Sequence, residues 1–201
     1  MRVLLVLISS CLICFSCSTN RTASKLSNSK RVEERTPLFK EGLNEAVFRG
    51  SISVYKHYFS GIFALKQDGI DQYRMLLMSE VGMTLFDMSF TSDSYDLNYC
   101  MEPIRKKSLF KLMHQDFLLL VKAPKQEGLR FKDEEKAILK YQKKESRDFY
   151  FYENTLMQKI DSKGFFNRIH IEFNEQEKGV SNSIQIQHWP IKLKMELKRI
   201  K

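Results

Sequence analysis

Side chains able to do acid–base, nucleophilic or metal chemistry are thinly spread in this chain. His57, His114, His170 and His188 stand far apart, and none has a serine or cysteine beside it in a nucleophile pattern. The nucleophile-elbow motif GxSxG is absent. Glu80 and Asp87 are carboxylates of the kind general acid–base catalysis uses. A turn and a strand separate them, which places them at opposite ends of one strand. No Cys/His cluster has metal-ligand spacing. The eight glycines fall mostly in turns and form no phosphate loop. Asp116 lies on the edge of a helical apolar stripe and reads as a cap or ion-pair residue. His188 lies on the apolar face of a strand and reads as a core histidine. These residues predict a non-catalytic protein with no cofactor and no metal.

The cysteines point to a different chemistry, thiol acylation. Met1-Arg2 supplies a positive charge, and Val3 to Phe15 is almost wholly apolar. That run fits a secretory signal and is too short to span a bilayer as a permanent helix. It stops at Ser16-Cys17, a small residue followed by cysteine, which resembles a bacterial lipobox. Cleavage there predicts a signal peptide over 1–16 and Cys17 as the acylated first mature residue. Ile8-Ser9-Ser10-Cys11 matches the lipobox pattern more closely. Choosing Cys11, however, leaves an apolar run of only about six residues and strands Leu12 to Phe15 in the mature chain. An ordinary secretory signal or an N-terminal anchor is the plainer reading. Multiple acyl chains make attachment to the membrane stable. Cys100 is then a lone thiol in a strand pattern, expected to be a small buried hydrophobe.

The chain has 201 residues, 43% of them hydrophobic, enough for one domain with a core. Its formal net charge is +9. For an exported, membrane-anchored monomer this argues against a nucleic-acid partner. It leaves an anionic lipid surface or a plain solvated face.

Residues 17–37 are rich in Ser, Thr, Asn, Lys and Arg and predict a flexible tether. The domain is expected over 38–201, with a short helix from Leu38 to Phe48. Period-two segments follow: Ser51 to His57, Ile62 to Leu65, Gln72 to Ser79, Met83 to Thr91 and Tyr95 to Met101. Breaks are expected at Ser60-Gly61, Gln67-Asp68-Gly69, Glu80-Val81-Gly82 and Ser92-Asp93-Ser94. Lys106 to Val121 changes to the helical period. Ala137 to Gln142 and Asp148 to Tyr152 read as strands, with a helix over 133–145 as the alternative. Leu156 to Ile160 and Phe166 to Phe173 continue the series, and Glu175 to Ser181 reads as a loop. Ile184 to His188 and Ile191 to Lys198 alternate strictly, the latter with a lysine-rich outer face that also guards an edge. The fold class expected is mainly β (α+β). It is a curved antiparallel sheet or half barrel of about ten strands packed on one or two helices.

This order of lipoprotein signal, tether, meander, helix and second run of strands resembles the lipoprotein-localisation factors LolA and LolB. It is more similar still to uncharacterised outer-membrane lipoproteins of Bacteroidetes-type bacteria. The segments that carry this likeness are Tyr58-Phe59-Ser60-Gly61, Tyr73-Arg74, Ser79 to Asp87 and Asp116-Phe117, within residues 48–200. The resemblance implies an outer-membrane protein, lipid-anchored on the periplasmic face, with an apolar cavity that binds lipid or lipoprotein acyl chains. Met75, Leu77, Met83, Leu85, Met88, Phe90 and Phe117 would line that cavity, methionine suiting a pocket that re-packs around its ligand. Ile70 or Val81 would be the exposed apolar loop residue that touches the membrane. The other readings are an accessory envelope lipoprotein with a closed core and a protein partner, or a surface-exposed adhesin.

Overall fold

The computed structural model describes Thr36, Leu38, Phe39 and residues 42–122, 129–131, 136–142, 146–154, 156–164 and 167–200. The signal peptide, Cys11, Cys17 and all of the tether but Thr36 lie outside the described residues.

A first meander consists of β1 (Glu45–Val54), β2 (His57–Gly69), β3 (Gln72–Met78), β4 (Thr84–Phe90) and β5 (Tyr95–Cys100). A single 3-10 turn, Glu102–Ile104, leads into helix α1 (Lys107–Val121). The second meander is β6 (Leu129–Phe131), β7 (Lys136–Gln142), β8 (Ser146–Glu153), β9 (Leu156–Gly164), β10 (Arg168–Glu177), β11 (Val180–Trp189) and β12 (Leu193–Arg199). All twelve strands join one open antiparallel sheet in the order β5-β4-β3-β2-β1-β12-β11-β10-β9-β8-β7-β6. The first and last strands meet in its middle, where Ile52 faces Met195. The link through α1 therefore joins one edge of the sheet to the other.

Alternation dictates the buried face. Phe48 and Ile52 on β1, Phe63 and Leu65 on β2, Met75 and Leu77 on β3, and Ile184 and Ile186 on β11 are all buried. Helix α1, the one α-helix among the described residues, packs on that face. Its buried set runs from Leu119 round through Leu109, Leu120, Phe117 and Phe110 to His114. At 100° per residue this arc covers about 220° of the helix, twice the stripe of an ordinary surface helix. His114 and Asp116 lie about 160° apart across this arc. His114 meets Phe90 and Tyr95 on β4 and β5, while Asp116 meets His188 on β11.

Several boundaries differ from the sequence expectation, each for a local reason. The helix expected from Leu38 to Phe48 is not formed over Glu45–Phe48, which pair with Phe63–Lys66 as part of β1. There Ala46 and Phe48 are buried on a period of two. The break expected at Ser60-Gly61 falls instead at Tyr55-Lys56, where Tyr55 takes φ 52°. Gly61 is inside β2, opposite Gly50. A Cβ on Gly61 would lie 1.8 Å from the Met78 carbonyl oxygen, so this glycine permits a close backbone approach and makes no turn. β2 continues through Gly69, and Ile70-Asp71 turns the chain. β10 and β11 likewise extend through most of the loop expected from Glu175 to Ser181. Residues 136–142 are strand, not helix.

Candidate functional site

Among the described residues, the interior between sheet and helix is closely packed. Met75, Leu77, Met88 and Leu120 are fully buried, and Phe90 and Phe117 nearly so. Phe117 stacks on Phe63 with ring centroids 6.3 Å apart. Phe86 joins Phe63 at 6.1 Å and Phe110 at 5.4 Å, both edge-on. Phe86, Met88 and Phe90 face Leu77, Met75 and Tyr73 across the β3–β4 ladder. Leu85 is buried but one residue out of phase with that row. Phe86, absent from the expected lining, occupies the central place.

Met83 does not belong to this interior. It is 57% exposed, because β4 begins only at Thr84; the register shift at Leu77/Met78 is taken up at Leu85, and Met83 is left in the turn. The backbone of Met83 is pinned there: its N–H donates to Ser79 Oγ at 3.1 Å and its carbonyl accepts from the Ser79 N–H at 2.8 Å. Register shifts also set the face of Cys100. The β4–β5 ladder slips at Asp87/Met88, so Cys100 turns inward and Tyr99 outward. Burial raises the Cys100 thiol above its ordinary value.

The apolar interior opens at the start of α1. A cleft of about 160 Å³ lies between Ile104, Leu109 and Leu112 on the helix side and Val54, Phe59 and Ile191 on the sheet side. That is below the roughly 300–1,000 Å³ of sites that enclose a drug-sized ligand.

Ile70 and Val81 are 98% and 82% exposed. They occupy opposite ends of β3, in the β2–β3 and β3–β4 turns, so they do not share one contact surface. Glu80 is exposed in its turn, while Asp87 is held on the outer face. Arg74 grips Asp87 with two donors, Nε at 3.0 Å and Nη2 at 2.6 Å, and Asn98 Nδ2 adds a third at 3.0 Å. The Arg74 guanidinium holds the Asp87 carboxyl below the usual carboxylate range. These bonds cross β3, β4 and β5, so the pair acts as a brace for the edge of the sheet. At the far end of the same strands, Ser92 Oγ donates to Asp71 at 2.7 Å and Lys122 pairs with it at 2.9 Å. That ties two turns to the end of α1.

The buried polar contact that spans the core is Asp116 with His188. Oδ2 and Nε2 are 2.9 Å apart and both side chains are fully buried. Burial pushes the Asp116 carboxyl above its ordinary value, against the opposing pull of His188. Asp116 Oδ1 and His188 Nδ1 have no hydrogen-bond partner. Among the described residues no serine, cysteine or second carboxylate bonds to this pair, so it has the geometry of a core clamp between α1 and β11. Outside the sheet, a shallow open groove of about 640 Å³ runs past Lys163, Arg168, Trp189 and Pro190. At its floor His170 sits between Asp161 at 2.5 Å and Glu172 at 2.9 Å. No group of three or more His, Cys, Asp or Glu among the described residues has metal-holding geometry.

The chain matches no protein-family model, and no curated protein is similar to it in sequence.

Proposed function

We propose that this protein is a lipid-anchored, non-catalytic component of the bacterial outer membrane whose domain is a LolA/LolB-like half barrel with a closed core. It acts through its outer surface on an envelope partner and does not carry an acyl chain inside. The observation that carries this reading is the close packing of the described interior: Met75, Leu77, Met88 and Phe117, which the resemblance places on a cavity wall, are fully or almost fully buried. The curvature is supported by α1, since strands from both halves of the sheet reach opposite sides of one helix. Eleven strand spacings would hold the edges about 53 Å apart in a flat sheet, whereas curling brings them within easy reach of the α1 link.

A second reading, handling of acyl chains, is favoured by the apolar cleft at the start of α1 and by the buried methionines Met75, Met88, Met113 and Met195 of the core. Methionine re-packs readily. Titration with a fluorescent fatty acid separates the two. The closed-core reading expects no saturable binding. Saturable binding at one probe per chain would replace it with the second reading.

A further inference from the structure

We infer that the end of the sheet carrying the β1–β2, β3–β4 and β11–β12 turns is a docking surface for an anionic lipid membrane. The ladders place those turns together with the start of α1 and the β9–β10 connection at one end. Charge there is one-sided. Lys56, Lys192 and Lys194 flank the two central turns, and Arg105, Lys106 and Lys107 lead into α1. Arg147, Lys163 and Arg168 stand at the ends of β8, β9 and β10. Within two residues of the strand ends, the described carboxylates on this side are Glu80, Glu102 and the buried Asp148. The opposite end is mixed, with Asp68, Asp71, Asp93 and Glu177 among lysines such as Lys122 and Lys178.

Apolar exposure is concentrated at the same cationic end. Tyr55, Tyr58, Val81, Met83, Tyr99 and Trp189 are exposed there, leaving Leu43, Ile70 and Ile200 for the rest of the described surface. Cations alone would suit any polyanion. Cations interleaved with tyrosine, tryptophan, valine and methionine suit a surface with an anionic headgroup layer over an apolar one, where amphipathic rings settle at the boundary. The chain enters the domain at the opposite end, where Arg199 donates to the Leu38 carbonyl. Residues 17–37 reach about 70 Å at full stretch, twice the roughly 33 Å length of a ten-residue strand. An anchor at Cys17 therefore permits the cationic end to face the same membrane.

This inference deepens the proposed function by naming what the outer surface meets. It depends on that reading for the compartment alone. Trp189 is the chain's one tryptophan, so its emission reports on this end directly. The full chain is mixed with vesicles of phosphatidylcholine alone, or of phosphatidylcholine with phosphatidylglycerol, each carrying a brominated-chain quencher. Docking predicts that Trp189 emission shifts to the blue and loses most of its intensity on the anionic vesicles only. High salt should reverse this, as the screening length shrinks to about 3 Å at 1 M. Each Lys→Ala change among Lys56, Lys106 and Lys192 should weaken partitioning about fivefold. Ile70→Ser, at the other end, should change nothing. Unquenched Trp189 on anionic vesicles, or quenching that ignores the three lysines, would overturn the assignment and leave this end to a protein partner. Flotation with the neutral vesicles reads the acyl anchor separately, and fatty-acid titration reads the closed core.

Discussion

Asp116 on α1 and His188 on β11 are 72 residues apart in sequence and 2.9 Å apart in the core. Among the described residues no other hydrogen bond or ion pair joins the helix to the second meander, so this pair fixes how α1 sits across the two halves of the sheet. His188→Leu would leave the Asp116 carboxyl buried without its partner. Loss of a buried polar partner costs about 2–4 kcal/mol, read as a lower urea midpoint. Joint replacement of both residues by leucine should cost less than the sum of the single changes. Additive losses would show that the pair does not act as one unit.

Two carboxylates should respond to pH in opposite directions. Arg74 lowers Asp87, so the contribution of Asp87 is present above the unfolded value near 3.9 and is lost as pH falls through the lower folded value. Burial raises Asp116, so its contribution is full below the unfolded value and is lost as pH rises through the raised folded value. Urea stability measured from about pH 3 to 7 on the native chain, Asp87→Asn and Asp116→Asn gives the comparison. As pH falls, the native chain should lose its advantage over Asp87→Asn and gain relative to Asp116→Asn. Matching trends in the two variants would contradict these assignments.

Gly61 supplies a steric prediction. Its missing Cβ is the space into which the Met78 carbonyl oxygen fits, 1.8 Å from where the carbon would stand. Gly61→Ala must therefore part β2 from β3 and should cost about 3 kcal/mol, the upper range of overpacking. Gly82 takes φ 83° in an open turn with nothing within 4 Å of a Cβ. Gly82→Ala meets only backbone strain of about 1–2 kcal/mol. Equal midpoints for the two variants would count against the close β2–β3 approach.

Gly61 also shows what the sequence makes legible. Period-two alternation marks β3, β4 and β5 nearly to the residue, and the change to a helical period marks α1, because each buries one face against a continuous partner. Gly61 carries the same letter whether it turns a chain or admits a neighbouring backbone, and only the β2–β3 ladder separates the two. Tyr55, which does turn the chain, is not a typical turn residue. Leu85 and the buried Cys100 take their faces from the register slips beside them, since a slip of one residue reverses every side chain beyond it, while Met83 lies before the start of β4. His188 is legible as a core histidine and Asp116 as a cap or ion-pair residue at the edge of the stripe, but their burial together depends on how a crossover helix lies over strands from the other half of the chain. The cationic end is hidden for the same reason, since its lysines and aromatics come from turns scattered along the whole chain.

The anchor makes its own prediction. With Cys17 as the acylated residue, Cys17→Ala should abolish incorporation of labelled palmitate and Cys11→Ala should leave it intact. The reverse pattern would move the cleavage site to Cys11.

Native mass spectrometry of the soluble Cys17→Ala form, purified without detergent, bears most directly on the closed core. A closed core predicts a single species at the mass of the polypeptide, with the space around Phe63, Phe86 and Phe117 occupied by those side chains themselves. A stoichiometric co-purified phospholipid or fatty acid would contradict it and establish the fold as a carrier.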